Sequence, residues 1–251
     1  MVSDNLQALY GKLPSGVKLV AVSKFHPVSR LMEAYDAGQR LFGENRPQEL
    51  AVKVPQMPAD VEWHFIGHLQ TNKLKLVLPY VSLVQSVDSF HLLEAIDKWG
   101  RDNDKIVDVL LELHLGAEET KHGFSEEDIL LCCGRAPSET LRSQSDLRPS
   151  HKWAPPSNVP RVAQVSEGAL PPLENVRLRG LMGMATNTED MEVVERDFAQ
   201  IEALFRKIKA MGLPGFDQLS IGMSGDWPLA VRHGATMVRI GTDIFGPREY
   251  T

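Results

Sequence analysis

Lys18-Leu19-Val20-Ala21-Val22-Ser23 is a short apolar run, and an amphipathic stretch over 28–38 follows it. The run has strand length and is valine-rich, while the second stretch has helical spacing, so the pair reads as one βα unit. Working outward, the same unit recurs along almost the whole chain. Arg40-Leu41-Phe42-Gly43-Glu44 reads as a second strand, with a helix over 47–57, and Glu62-Trp63-His64-Phe65-Ile66-Gly67 reads as a third strand. Leu83-Val84-Gln85-Ser86-Val87 and residues 106–115 are the fourth and fifth, with helices over 89–101 and 125–133. Ser125 is placed to cap the latter helix. The sixth, seventh and eighth strands are expected over 176–184, 218–222 and 237–241, with helices over 189–211 and 227–233 between them. No helix is read after the eighth strand, and an N-terminal helix over 3–12 is expected to cover that position. Gly67 and Gly100 read as turns.

Strands that are apolar throughout, rather than alternating, belong to a parallel sheet covered on both faces. A count of eight favours closure into a (β/α)8 TIM barrel over an open doubly wound sheet, and 251 residues is the usual size of such a barrel. One domain over 1–251 is therefore expected. Its interruption is 134–172, which holds seven of the 16 prolines and no hydrophobic periodicity. That segment reads as a disordered insertion leaving the bottom of the barrel, after the helix that follows the fifth strand.

A net charge of −6 argues against a global attraction to nucleic acid or anionic membrane. No apolar stretch approaches the roughly 20 residues of a membrane helix, and no secretory signal is read at the N-terminus. Cys132 and Cys133 are the only two cysteines and are adjacent, which gives neither a disulfide framework nor zinc-ligand spacing. A cytoplasmic location is expected.

Chemistry in such barrels sits at the C-terminal strand ends. Lys24, Glu44, Asn45, His68, Asp88, Met223, Ser224, Asp226, Gly241, Thr242 and Asp243 occupy those ends, and Arg239 lies within the eighth strand. Lys24 is the sharpest candidate: a lysine partly buried behind an apolar strand can act as a nucleophilic amine toward an aldehyde. The alternative is an ordinary solvated lysine. The turn Ser220-Ile221-Gly222-Met223-Ser224-Gly225-Asp226 and the pair Gly241-Thr242 follow strands seven and eight, where barrels commonly bind phosphate. The alternative is a turn whose Asp226 caps the next helix. Arg239 is either a buried, neutralised arginine or a cation facing a cofactor's ring nitrogen. His64 and His68 have i, i+4 spacing, but on a strand four residues span roughly 13 Å, so no metal site is expected.

These segments resemble one family. Ala21-Val22-Ser23-Lys24, Phe42-Gly43-Glu44-Asn45, Trp63-His64-Phe65-Ile66-Gly67-His68-Leu69-Gln70-Thr71-Asn72-Lys73 and Ser86-Val87-Asp88-Ser89 look like its successive motifs. So do Lys121-His122-Gly123, Gly180-Leu181-Met182, the 219–226 turn and the 238–246 segment. The family is that of pyridoxal phosphate homeostasis proteins, related to the N-terminal barrel of alanine racemase, and the resemblance covers nearly the whole chain outside the insertion. It implies the alanine-racemase-type barrel, with pyridoxal 5'-phosphate (PLP) held as a Schiff base on Lys24. It further implies phosphate contacts from Ser224, Gly241 and Thr242, Arg239 at the pyridine nitrogen, and Asn45 and Met223 lining the cofactor. Three departures alter the rim: Phe25-His26 in place of Thr-Lys, Arg46-Pro47 in place of a Tyr-containing pair, and Asp243 in place of a small residue.

The resemblance implies a cofactor carrier acting in vitamin B6 supply rather than an enzyme, with no catalytic residue assigned. Its partners would be PLP and apo-enzymes that receive it, and the chain is expected to be a monomer. The alternative is a PLP-dependent racemase-like enzyme. Alanine racemases take a second base from an additional β domain, and no such domain is expected here. A third reading, a phosphate-binding barrel without aldehyde chemistry, would survive only if Lys24 is unreactive.

Overall fold

Valine- and leucine-rich runs form eight parallel strands: β1 (Lys18–Val22), β2 (Leu41–Glu44), β3 (Glu62–Phe65), β4 (Leu83–Val87), β5 (Val107–Leu113), β6 (Val176–Gly183), β7 (Gln218–Ser220) and β8 (Met237–Ile240). The computed structural model describes residues 2–116, 122–134 and 172–247. The strands close in sequence order, with β8 pairing back onto β1. The TIM-type (β/α)8 barrel of the sequence reading is the fold.

Alternate residues of each strand face opposite sides, and both sides carry buried apolar residues. Val20, Leu83, Leu110, Met182 and Met237 pack together inside the barrel. Their strand neighbours, including Leu19, Ala21, Val84, Val109 and Val238, pack outward against the helices. This double burial is why the strands read as continuous apolar runs.

Among the described residues the outer layer is α1 (Val2–Tyr10), α2 (Val28–Asp36), α3 (Pro47–Lys53), α4 (Leu74–Val77), α5 (Phe90–Asp102), α6 (Glu126–Cys133), α7 (Met191–Ala210), α8 (Trp227–Arg232) and α9 (Thr242–Phe245). Ser89, Ser125 and Asp190 cap α5, α6 and α7 by accepting from Leu92, Asp128 and Glu192 N–H. Two short helices escape the sequence reading. One is α4, preceded by a 3-10 turn over Thr71–Lys73. The other is α9, which means that strand eight does carry a helix of one turn. The N-terminal helix still covers that position, with Asn5 Nδ2 donating to Ile244 O at 3.0 Å. Gly100 is not in a turn but inside α5, where a Cβ would lie 2.6 Å from the Lys105 carbonyl oxygen. It is there to let the chain pass closely.

The proposed insertion lies outside the described residues except at its ends, after α6 and before β6. No described helix is long and apolar enough to cross a membrane. Both cysteines are buried and neither is in a disulfide, and burial pushes the Cys133 thiol far up.

Candidate functional site

Strand order and register bring the candidate residues to one sector of the C-terminal rim. β1 lies between β8 and β2, with Ala21 beside Ile240 and Val22 beside Gly43. Lys24 is two residues past Val22 and Asn45 two past Gly43, so the two emerge side by side. Gly241 follows Ile240 directly, and a Cβ there would meet Val22 Cβ at 3.3 Å. Arg239 N donates to Gly222 O at 3.0 Å, which puts the 223–226 turn next to β8. Val20 faces into the barrel, and Lys24 sits half-buried in the turn two residues past Val22, the last residue of β1.

The backbone after Lys24 is held from outside the barrel. Phe25 adopts φ 66°, a left-handed conformation rare for a residue with a side chain. Its N–H donates to Glu49 Oε2 at 3.0 Å. Lys53, one helical turn on, donates to Glu49 at 2.9 Å, to Glu44 at 2.5 Å and to the Ser23 carbonyl at 2.9 Å. All three ammonium protons are thereby used. Ser23 Oγ lies 2.7 Å from Glu44 as well. Burial pushes the Glu44 carboxyl up, against the pull of Lys53. Burial alone would also raise Glu49, but the bonds from Lys53 and the Phe25 amide hold it below the usual carboxylate range. Glu44, a strand-end residue in the sequence reading, thus serves this clamp rather than the barrel mouth.

Two of the rim departures pack on each other: the Arg46 guanidinium sits 4.2 Å above the Phe25 ring. His26 lies against Phe245, with ring centroids 4.8 Å apart.

Arg239 is buried and starts a directional hydrogen-bond chain through the barrel. It donates to Gly183 O at 2.9 Å, and to Ser220 O and Oγ at 2.8 and 2.7 Å. Ser220 Oγ donates to Gln85 Oε1 at 2.7 Å, and Gln85 Nε2 donates to His64 Nδ1 at 2.8 Å. His64 therefore carries its proton on Nε2, which donates to Glu62 Oε1 at 3.3 Å. Burial lowers the His64 pKa, so the ring is neutral, and its bond helps bring Glu62 down to about 2. Burial also brings Arg239 down to about 10, opposed by Glu112 and Asp226, and it stays charged at neutral pH. Glu112 is pushed up to about 7, by burial first and then by Asp88.

The phosphate candidates sit on the neighbouring turns. Ser224 and Gly241 are half-buried, while Met223 and Thr242 are exposed. Gly222 has φ 92°, and a Cβ there would lie 2.6 Å from Ala230 Cβ, so only glycine forms this turn. Asp226 does not cap α8 with its side chain; it reaches back and accepts from Met223 N at 2.5 Å. Both α8 and α9 are short, so any anion here is held by local N–H and hydroxyl groups rather than by a macrodipole. Asn45 supplies a sign of a missing partner: its Oδ1 is buried and has no hydrogen-bond partner among the described residues. Gly67 allows this placement, since a Cβ there would lie 2.4 Å from the Asn45 carbonyl oxygen.

His64 and His68 diverge, as the strand geometry requires. His64 is buried inside the barrel, whereas His68 is exposed on the rim beside Asp88, with Nδ1 2.8 Å from Oδ2. Sequence reasoning did not find Glu49, Lys53, Gln85 or Glu112, and it read Ser220 only as part of the turn after strand seven. A shallow hollow near Ser82, Lys105, Asp108 and Arg177 lies at the opposite end of the barrel from these groups.

The family model for the alanine racemase N-terminal domain matches residues 1–142. The pyridoxal phosphate homeostasis protein of Pasteurella multocida is 35% identical over 94% of this chain and 89% of its own length. That of Schizosaccharomyces pombe is 34% identical over 92% and 84%. PipY of Synechococcus elongatus, solved with PLP bound, is 31% identical, with a TM-score of 0.76 over 98% of this chain and all of that one. Alanine racemase from Corynebacterium glutamicum, at 14% identity, shares the fold with a TM-score of 0.64. The chain belongs to the pyridoxal phosphate homeostasis protein family, on the alanine-racemase N-terminal barrel.

Proposed function

We propose that this protein binds PLP as a Schiff base on Lys24 and acts as a carrier in PLP homeostasis. The observation that carries the reading is the convergence, by register, of Lys24 and Asn45 with the turns after β7 and β8. The residues present fit the group. Asn45 Oδ1 awaits a donor, and a Cβ on Gly225 would meet no atom within 4 Å, so the turn is open to an anion.

When bound, PLP would supply an aldehyde carbon for an amine and a conjugated ring for withdrawing electrons. Lys24 provides the amine, and the Glu44–Lys53–Glu49 clamp fixes the backbone that presents it. Ser224, Gly241 and Thr242 would hold the phosphate, and Asn45 and Met223 would line the ring. Arg239, a fixed cation whose orientation is set by Ser220 and Gly183, would stand toward the ring nitrogen. A charged guanidinium offers N–H donors but no acceptor, and it does not release a proton at neutral pH. It would keep that nitrogen unprotonated and the ring a weak electron sink, which would favour holding the cofactor over carbanion chemistry. The chain acts as a cytoplasmic monomer and passes PLP to apo-enzymes.

Incubation of pure holoprotein with several amino acids is expected to give no sustained racemisation, while an added apo-enzyme gains activity. Turnover abolished by Lys24→Ala would replace the carrier with a racemase-like enzyme.

A further inference from the structure

Three consecutive βα loops each carry one metal-ligating side chain to the same spot on the rim. His68 follows β3, Asp88 follows β4, and His122 lies between β5 and α6. One ligand atom from each lies within 4.8 Å of the other two. Asp88 Oδ2 is the shared point, 2.8 Å from His68 Nδ1 and 4.0 Å from His122 Nδ1. The imidazoles stack with centroids 4.5 Å apart and planes 20° from parallel.

We propose that His68, Asp88 and His122 form a binding site for a divalent transition-metal ion of the zinc class. Two imidazoles and one carboxylate are a donor set that such ions take, with a fourth position left for water or another ligand. Tetrahedral bonds of roughly 2.0–2.1 Å place ligand atoms about 3.3–3.5 Å apart. From separations of up to 4.8 Å the cluster must therefore contract by about 1.4 Å at its widest, while the 2.8 Å His68–Asp88 pair opens by about half an ångström. The two histidine side chains are 49% and 66% exposed, so ring rotation meets little packing. Asp88 is the fixed member: its side chain is only 6% exposed, and Ser89 Oγ donates to its Oδ1 at 3.2 Å. That bond leaves Oδ2 for the ion, the outer-shell arrangement that orients a carboxylate ligand. His64 takes no part, since its Nδ1 is engaged by Gln85 and the ring is buried. The site lies on the β3–β5 side of the barrel mouth, and the cofactor residues come from β7, β8, β1 and β2. It does not depend on the reading of Lys24.

The full chain, stripped with chelator, is titrated with zinc chloride by calorimetry and with cobalt(II) by visible absorbance. One ion per chain with micromolar or tighter affinity is expected, weakened about 10-fold or more by His68→Ala and by His122→Ala. Both variants remove exposed side chains and should melt like the parent. The cobalt spectrum should show d–d bands without thiolate charge transfer, which separates this site from Cys132 and Cys133. Lys24→Ala should bind like the parent. No saturable binding, equal affinity in the histidine variants, a thiolate signature or loss of binding in Lys24→Ala would each overturn the proposal.

Discussion

Replacing Lys53 by methionine tests the clamp behind Lys24. The Lys53 side chain is 7% exposed and its partner Glu44 is 0% exposed. Methionine fills much of the same volume but leaves Glu44 as a buried carboxylate without its cation. Removing one partner of a buried pair costs about 3–5 kcal/mol. For a chain of this size that is a fall of roughly 6–20 °C in melting temperature. The sign of the pH dependence follows from Glu44. Its carboxyl is raised in the folded state, so folding binds a proton and stability is gained as pH falls through the folded value. Without Lys53 the carboxyl rises further. The deficit against wild type should therefore be largest at about pH 8 and shrink toward about pH 5. Adding Glu44→Gln removes the unpaired charge and should recover more than half the loss. The assay is urea denaturation of all three proteins at both pH values. A deficit below about 1 kcal/mol, a deficit independent of pH, or no rescue by Glu44→Gln would refute the reasoning. Glu49 also loses a partner in Lys53→Met, so the Phe25 amide is held less firmly and Lys24 presented less well.

Two further outcomes are expected. Ser224→Ala should weaken PLP retention by about 1.5–3 kcal/mol, roughly 10- to 150-fold, while the reactivity of Lys24 is retained; equal affinity in equilibrium dialysis would count against the phosphate assignment. Glu112, raised to about 7 by burial and Asp88, lowers the stability of the folded state as pH rises from its ordinary value of 4.5 through 7. Glu112→Gln should remove up to about 3 kcal/mol of that penalty; parallel urea titrations at acidic and alkaline pH would show a constant difference if the idea is wrong.

The strands were legible because each buries both faces, so Leu19-Val20-Ala21-Val22 and its counterparts stand out without alternation. The helices α4 and α9 were not, because a helix of about one turn has no period to read. Lys24, Ser224, Gly241 and Thr242 were reachable from strand ends alone. The clamp was not, since Glu49 and Lys53 look like an ordinary helical i, i+4 pair until α3 is packed on β1 and β2. The left-handed Phe25 gives no signal in its own residue type. His68 and Asp88 were both found as strand-end residues. His122 was seen only within a family motif, and sequence spacing joined His68 to His64, which the strand carries away from it.

The most direct measurement is the visible absorbance of the purified protein before and after borohydride, beside Lys24→Ala. The account requires an imine band in the wild type that borohydride abolishes, leaving the cofactor attached to the Lys24 peptide by mass, and no such band in Lys24→Ala. A wild-type protein that shows no band after incubation with PLP, or a Lys24→Ala protein that shows the same band, would contradict it.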